Sequence, residues 1–299
     1  MSIGETQLET WSKVGSQVQS KETYATIRNA LIVNTAPYAG DVDIYLQGSY
    51  GNDTNVYGKE SDVDIVVQCD RAFFYDLSAL TPMQQAMFNS TSSGAVSYPY
   101  QTFRADVIKV LQGNFGNDVD TSHKKAIKIK ANGSRRGADV LVCQDFRKYK
   151  NLTGYPSDYD TGVAFLTTDG KRIENFPKAH SAALTARHQL SSSWLKPTIR
   201  IFKNMRNRLI DDGKLASGVA PSYYVEGVLW NAPLASFGKD YSTTVFNCLN
   251  WMNTAVESSL SCPNGMSGAL IGDNSPTKWS TANYRAFKDA TIDLWNDWK

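Results

Sequence analysis

Asp62 and Asp64 stand two residues apart in the run SDVDIVVQC. If that run is a strand, both side chains leave the same face of a sheet. Two carboxylates held side by side repel each other unless a cation lies between them. Magnesium suits the place, because it takes hard oxygen ligands and keeps substrate phosphates in its shell. Two such ions about 4 Å apart hold the attacking and leaving oxygens of an in-line phosphoryl transfer. A third carboxylate completes such a site, and Asp139 in GADVLVCQ, on a strand predicted just after a hairpin, is the candidate. The metal ligands expected from the sequence are therefore Asp62, Asp64 and Asp139, holding two magnesium ions or manganese in their place.

Gly48-Ser49 precedes this pair. Glycine lets a backbone approach a phosphate closely, and neighbouring N–H groups with a serine hydroxyl cradle its oxygens. The order Gly-Ser at a strand end, loop, then Asp-x-Asp on the next strand is far more specific than either piece. Asp41-Val42-Asp43 is also Asp-x-Asp on a strand, but it comes before Gly48-Ser49 and is expected to flank the sheet in solvent.

A second group lies downstream. Lys196, Arg200 and Lys203 fall at i, i+4 and i+7 with Arg206 close by, so they stack along one helix face. That face is either a solvated basic surface or a partner for a triphosphate, through Lys203 with Arg200. Pro221-Ser222-Tyr223-Tyr224 opens another helix, with Ser222 as N-cap and the tyrosines either stacking on a base or packed in the core. His123, His180 and His188 are scattered and form no motif.

The elements that position these residues follow from periodicity. A long N-terminal helix is predicted over Ile3 to Leu31, slipping near Tyr24, and Val42, Ile44 and Leu46 alternate as a strand. Asp62 to Cys69 is a second strand, and Phe73 to Leu111 reads as mostly helical around the polar run Asn89 to Gly94. Ala126 to Ala131 and Ala138 to Gln144 form a hairpin about Asn132-Gly133. A loop-rich stretch reaches Lys178, and helices dominate thereafter: Trp194 to Ile210, Ser222 to Leu229, Ser242 to Leu260 and Thr281 to Trp298. This is an α+β chain, with a catalytic lobe over 1–190 that includes the N-terminal helix and a helical lobe over 191–299 closing the active-site cleft.

Composition excludes several classes. The 299 residues are 41% hydrophobic and 20% charged, ordinary for a globular protein. A net charge of +2 argues against a long nucleic-acid track. No run of 18 apolar residues and no leader stand in the sequence, so a cytoplasmic protein without a membrane span is expected. Cys69, Cys143, Cys248 and Cys262 lack zinc-site spacing and are expected to be small buried thiols.

Gly48-Ser49, Asp62-x-Asp64 and the distal Asp139 resemble the polymerase-β-like nucleotidyltransferase superfamily. LKPTIRIFKNMRNRL and APSYYVEGVLWNAP resemble the helical lobe of bacterial cGAS/DncV-like nucleotidyltransferases, the oligonucleotide cyclases of CBASS anti-phage systems. The resemblance runs to about Pro233 and is nearest the clade with pyrimidine-containing cyclic dinucleotide products. It implies that Asp62, Asp64 and Asp139 bind the metal ions and activate a ribose hydroxyl. Gly48, Ser49 and Lys203 would hold the donor triphosphate, with Ser222 and Tyr223 at its phosphates and base. The implied substrates are ribonucleoside triphosphates, and the implied product activates a separate CBASS effector. Two alternatives remain at this stage: transfer to an RNA, protein or small-molecule acceptor, and an inactive nucleotide-binding module.

Overall fold

The apolar-polar alternation that follows Asp62 is realised as an inner strand of a mixed sheet. The structure, a computed structural model, describes residues 2–15, 17–56, 62–91, 96–133, 135–275 and 277–298. The chain forms two compact units: Met1–Ser16 with Gly48–Gly58 and Ala179–Lys299, and Gln17–Gln47 with Lys59–Lys178.

The sheet lies in the second unit and comprises β1 (Val42–Leu46), β2 (Val63–Asp76), β3 (Val119–Asp120), β4 (Ile127–Ile129), β5 (Ala138–Tyr149), β6 (Tyr159–Leu166) and β7 (Arg172–Asn175). Its order is β1-β2-β5-β4-β3, with β6 and β7 extending from the far part of β5. Among the described strands only β2 and β5 pair in parallel; the other pairs are antiparallel. Residues Val63, Ile65, Ile127, Ile129, Ala138 and Val140 are buried, and the polar residues alternating with them emerge on the other face. Helices α2 (Val18–Leu31) and α5 (Tyr100–Phe115) pack on β2 and β5. A smaller cluster of Leu80, Phe88 and Tyr149 joins α4 (Pro82–Thr91) to the sheet.

The first unit is helical: α1 (Glu5–Ser12), the single turn α3 (Gly48–Gly51), most of α6 (Pro177–Leu190), α7 (Leu195–Asp211), α8 (Ser222–Asn231), α9 (Tyr241–Thr254) and α10 (Thr281–Asn296). One apolar core, including Leu8, Phe202, Val228, Leu249 and Trp279, holds it together.

Several predicted elements change. The N-terminal helix is two helices, because the chain turns extended at Lys13. Gly15 N–H then donates to the Asn55 carbonyl, and the Asn55 amide donates back to the Gly15 carbonyl, both at 3.1 Å. Phe73 to Asp76 continues β2 after a register shift, with Phe73 packed against the smaller cluster and Tyr75 against its Phe88, so the helical reading there is corrected. The stretch after Asp145 carries the rest of β5 with β6 and β7. Ser92 to Gly94 of the polar run lie outside the described residues. No described helix is long and apolar enough to cross a membrane.

Candidate active site

Strand register brings the acids together. Val63 pairs with Ala138 and Asp64 with Asp139 across the parallel β2–β5 ladder. Across the β4–β5 hairpin, Lys128 pairs with the same Asp139. Lys128, Asp139 and Asp64 thus form one polar row over three adjacent strands, half-buried on the face opposite the apolar residues. Asp62 sits just before β2, two residues from Asp64, and joins the row.

Gly137 makes room for it. The Gly137 carbonyl accepts from Val63 N–H at 2.9 Å, and a Cβ at Gly137 would collide with Asp62 Oδ1. This glycine is required by close approach, not by its backbone angles.

The Lys128 ammonium bridges two of the acids, at 2.9 Å from Asp62 Oδ2 and 3.6 Å from Asp139 Oδ1. The latter distance is too long for a hydrogen bond, and Asp139 Oδ1 is buried without a hydrogen-bond partner. Burial pushes the Asp139 carboxyl above its ordinary value; Lys128 opposes the shift and Asp62 adds to it. Hydrogen bonding to Asp62 holds the Lys128 ammonium above its own ordinary value, against burial, with Asp139 helping. As the side chains stand, no three His, Cys, Asp or Glu residues among the described residues enclose a metal-sized site. The donor set nevertheless fits a hard divalent cation: oxygens in one row, one of them buried and unsatisfied, and a glycine cradle that admits Asp62.

The Asp41-Val42-Asp43 tripeptide lies at the other end of the sheet, since Val42 pairs with Cys69 while Leu46 pairs with Ile65. Asp41 meets Arg71 at 3.2 Å and Asp43 meets Lys178 at 2.7 Å, both exposed.

The remaining predicted residues belong to the helical unit. Gln47 N–H donates to the Asp64 carbonyl at 3.0 Å, and Gly48 follows directly in the chain. Gly48 adopts φ +64°, a left-handed angle suited to glycine, and is exposed; Ser49 is half-buried. Asn52 N–H donates to the Gly48 carbonyl and Thr54 N–H to that of Ser49, so a tight turn carries the pair.

That turn is gripped by α7. Arg200 donates to the carbonyls of Asp53 and Ser12, both at 2.5 Å. Lys196 approaches Asp53 Oδ2 at 3.4 Å. Lys203, only 1% exposed, donates to Thr54 Oγ1 at 2.9 Å and to Glu226 Oε1 at 2.7 Å. Glu226 also accepts from Thr54 Oγ1 at 2.5 Å and from the Asn52 amide at 3.0 Å, and its Oε2 lies 3.0 Å from His180 Nε2. Burial alone would raise the Glu226 carboxyl, but Lys203 and His180 more than offset it and hold the group far below the usual carboxylate range. The basic face is therefore neither a solvated surface nor, in its inner part, open to a ligand. It closes on the backbone of its own unit.

Ser222 is the first residue of α8, preceded by Pro221 as the N-cap residue, which corrects its expected capping role. Its hydroxyl accepts from Arg206 at 3.2 Å. Tyr223 stacks on His180 with ring centroids 4.6 Å apart and packs partly against the core. Burial raises its phenol well above the ordinary value.

Lys128, Gly137 and Glu226 escaped the sequence reading. For Lys128 a signal existed: counting back from the Asn132–Arg135 bridge of the hairpin puts it opposite Asp139. Glu226 offered none, since its partners lie 23 to 174 residues away.

Residues 182–296 match the model of the cGAS/DncV-like nucleotidyltransferase C-terminal helical domain. Over 299 residues the chain is 36% identical to the cyclic UMP-AMP synthase of Rhodothermus marinus, covering 100% of this chain and 99% of the relative. The solved structure of the R. marinus CdnE c-UMP-AMP synthase with Apcpp and Upnpp superposes with a TM-score of 0.88 at 35% identity, covering 99% and 97%. The cyclic nucleotide synthase CdnE01 of Staphylococcus haemolyticus is 35% identical, covering 100% of each chain. The Elizabethkingia meningoseptica CdnE cyclic dinucleotide synthase, solved with GTP and Apcpp, gives a TM-score of 0.75 at 26% identity, covering 98% of each. The chain belongs to the cGAS/DncV-like nucleotidyltransferase family.

Proposed function

We propose that this enzyme joins two ribonucleoside triphosphates, one of them carrying a pyrimidine, and closes them into a cyclic dinucleotide. The observation that carries the reading is the row of carboxylates set by strand register, with Asp64 opposite Asp139 and Asp62 admitted by Gly137. The synthases named above, cyclic UMP-AMP synthase among them, support the substrate class.

Asp62, Asp64 and Asp139 would hold two magnesium ions, or manganese in their place. When bound, such ions neutralise charge on the attacking and leaving oxygens of an in-line displacement. Asp139 orients the attacking ribose hydroxyl from its register position beside Asp64. The Gly48-Ser49 turn receives the donor triphosphate through exposed backbone and the Ser49 hydroxyl. Lys203 acts on that triphosphate through the turn, which it fixes from within through Thr54. Ser222 and Tyr223 present a hydroxyl and a ring held by Arg206 and His180 to the donor nucleotide. In each of two displacements a ribose oxygen forms a bond to the α-phosphorus, the bond to the β-phosphate bridge breaks, and pyrophosphate leaves. The second closes the ring. The product serves as an antiviral second messenger that activates a separate CBASS effector.

Pyrophosphate release tests the reading. The protein incubated with magnesium and ribonucleoside triphosphates, with no other acceptor, is expected to release pyrophosphate, more with paired nucleotides than with either alone. Release that begins only when RNA, protein or a small-molecule acceptor is added would replace this reading with transfer to that acceptor.

A further inference from the structure

The carboxylate row contains a cation of its own. Lys128 is the cross-strand partner of Asp139 in the β4–β5 hairpin, and its neighbours Ile127 and Ile129 are buried on the opposite face. Register therefore fixes where this side chain rises, and it rises between two of the proposed metal ligands. Its ammonium hydrogen-bonds Asp62 at 2.9 Å and stops 3.6 Å from Asp139. A lysine ammonium is a compact point charge with three donors on a flexible stem, so it can leave one partner for another without moving the backbone. The bridge is also incomplete, because Asp139 Oδ1 stays buried without a hydrogen bond. One positive charge is thus shared among acids whose row still has unsatisfied oxygen.

We propose that Lys128 is a built-in counter-cation of this row, a positioning residue that competes with the divalent cation for Asp62 and Asp139 and sets the cation concentration the enzyme requires. The proposal rests on the reading of these acids as the metal site. Without Lys128 the carboxylates would repel one another in the absence of a divalent ion, costing stability, and would bind that ion more tightly. With Lys128 they are held together and the cation must displace the ammonium first. Because the pairs are about a third exposed, each is worth little, and two of them amount to about three- to tenfold in affinity.

The test is direct binding of Mn2+, followed by electron paramagnetic resonance at low salt, to the full-length protein and its Lys128→Met, Lys128→Arg and Asp62→Asn/Asp64→Asn variants. Lys128→Met is expected to bind Mn2+ about three- to tenfold more tightly than the wild type, with Lys128→Arg close to wild type. Its melting temperature should fall below wild type without Mn2+ and recover at saturation. Binding by Lys128→Met that is equal, weaker or absent overturns the proposal. The double Asp variant separates the two claims. If it loses Mn2+ while Lys128→Met binds like wild type, the metal site stands and the competition is wrong. If it binds Mn2+ as wild type does, the metal-site reading fails, and this proposal with it.

Discussion

Asp64 and Asp139 stand opposite each other on one strand-register row, and the first consequence is chemical rather than structural. Asp64→Asn keeps the shape and removes one carboxylate, so it should lower turnover by at least about 100-fold, a loss of ~3 kcal/mol at the barrier. Urea unfolding of the same variant should stay within about 1 kcal/mol of wild type. A variant that unfolds early would make Asp64 a structural residue. Glu226 behaves oppositely. Glu226→Gln leaves the Lys203 ammonium buried without its counter-charge, which should cost about 3–5 kcal/mol in urea unfolding at neutral pH. Its pH dependence has a definite sign. The folded carboxyl lies below the ordinary glutamate value of 4.5, so its stabilisation is present above that pH and fades as pH falls toward the depressed folded value. The gap between wild type and Glu226→Gln should therefore narrow below pH 4.5; a gap constant from neutral to acid pH would show that the charge does not carry the effect.

At the scale of elements, two glycines separate positioning from stability. Gly137→Ala adds a methyl where the Asp62 carboxylate rests, so turnover should fall about tenfold or more from misplacement of that group, with the fold retained. Gly162→Ala pushes a methyl against the Asn175 carbonyl and the Phe176 ring where β6 meets β7. It should cost about 1–3 kcal/mol in unfolding free energy while activity per folded molecule persists. The same elements show what local pattern conveys. The strands β1, β4 and the start of β2 were legible because period-two alternation and the Asn132-Gly133 turn are local signals, and α7 because its apolar stripe recurs at helical spacing. The strands β6 and β7 were not: Tyr159-Asp160-Thr161-Gly162 and Arg172-Ile173-Glu174-Asn175 pair along the far part of β5 with little apolar alternation of their own. The acids were legible as a spacing, and their meeting required register. The basic residues of α7 were legible as a face, but what they face is a turn 143 to 149 residues earlier in the chain.

At the scale of the whole molecule, the sequence places a boundary at residue 190, while the compact units divide after Lys178, after Ser16 and on both sides of Gly48–Gly58. A discontinuous unit of this kind has no compositional mark, because the turn at Asn52, Asp53 and Thr54 is recruited by hydrogen bonds that Lys203 and Arg200 donate and Glu226 accepts, rather than by hydrophobic pattern. Across both units the four cysteines are buried thiols. Burial raises all four above their ordinary range, so the native protein should be inert to a thiol reagent and react at all four positions once unfolded. Fast reaction of any native thiol would mean that its unit opens readily. Register-set carboxylates are proposed to make a cyclic nucleotide from ribonucleoside triphosphates. The most direct test is to incubate the purified protein with all four ribonucleoside triphosphates and magnesium, digest with phosphatase and identify the survivors by mass spectrometry. A phosphatase-resistant cyclic dinucleotide containing a pyrimidine is expected, absent with the Asp62→Ala/Asp64→Ala protein; the same product from that double variant, or only linear, hydroxyl-ended products after digestion, would contradict this.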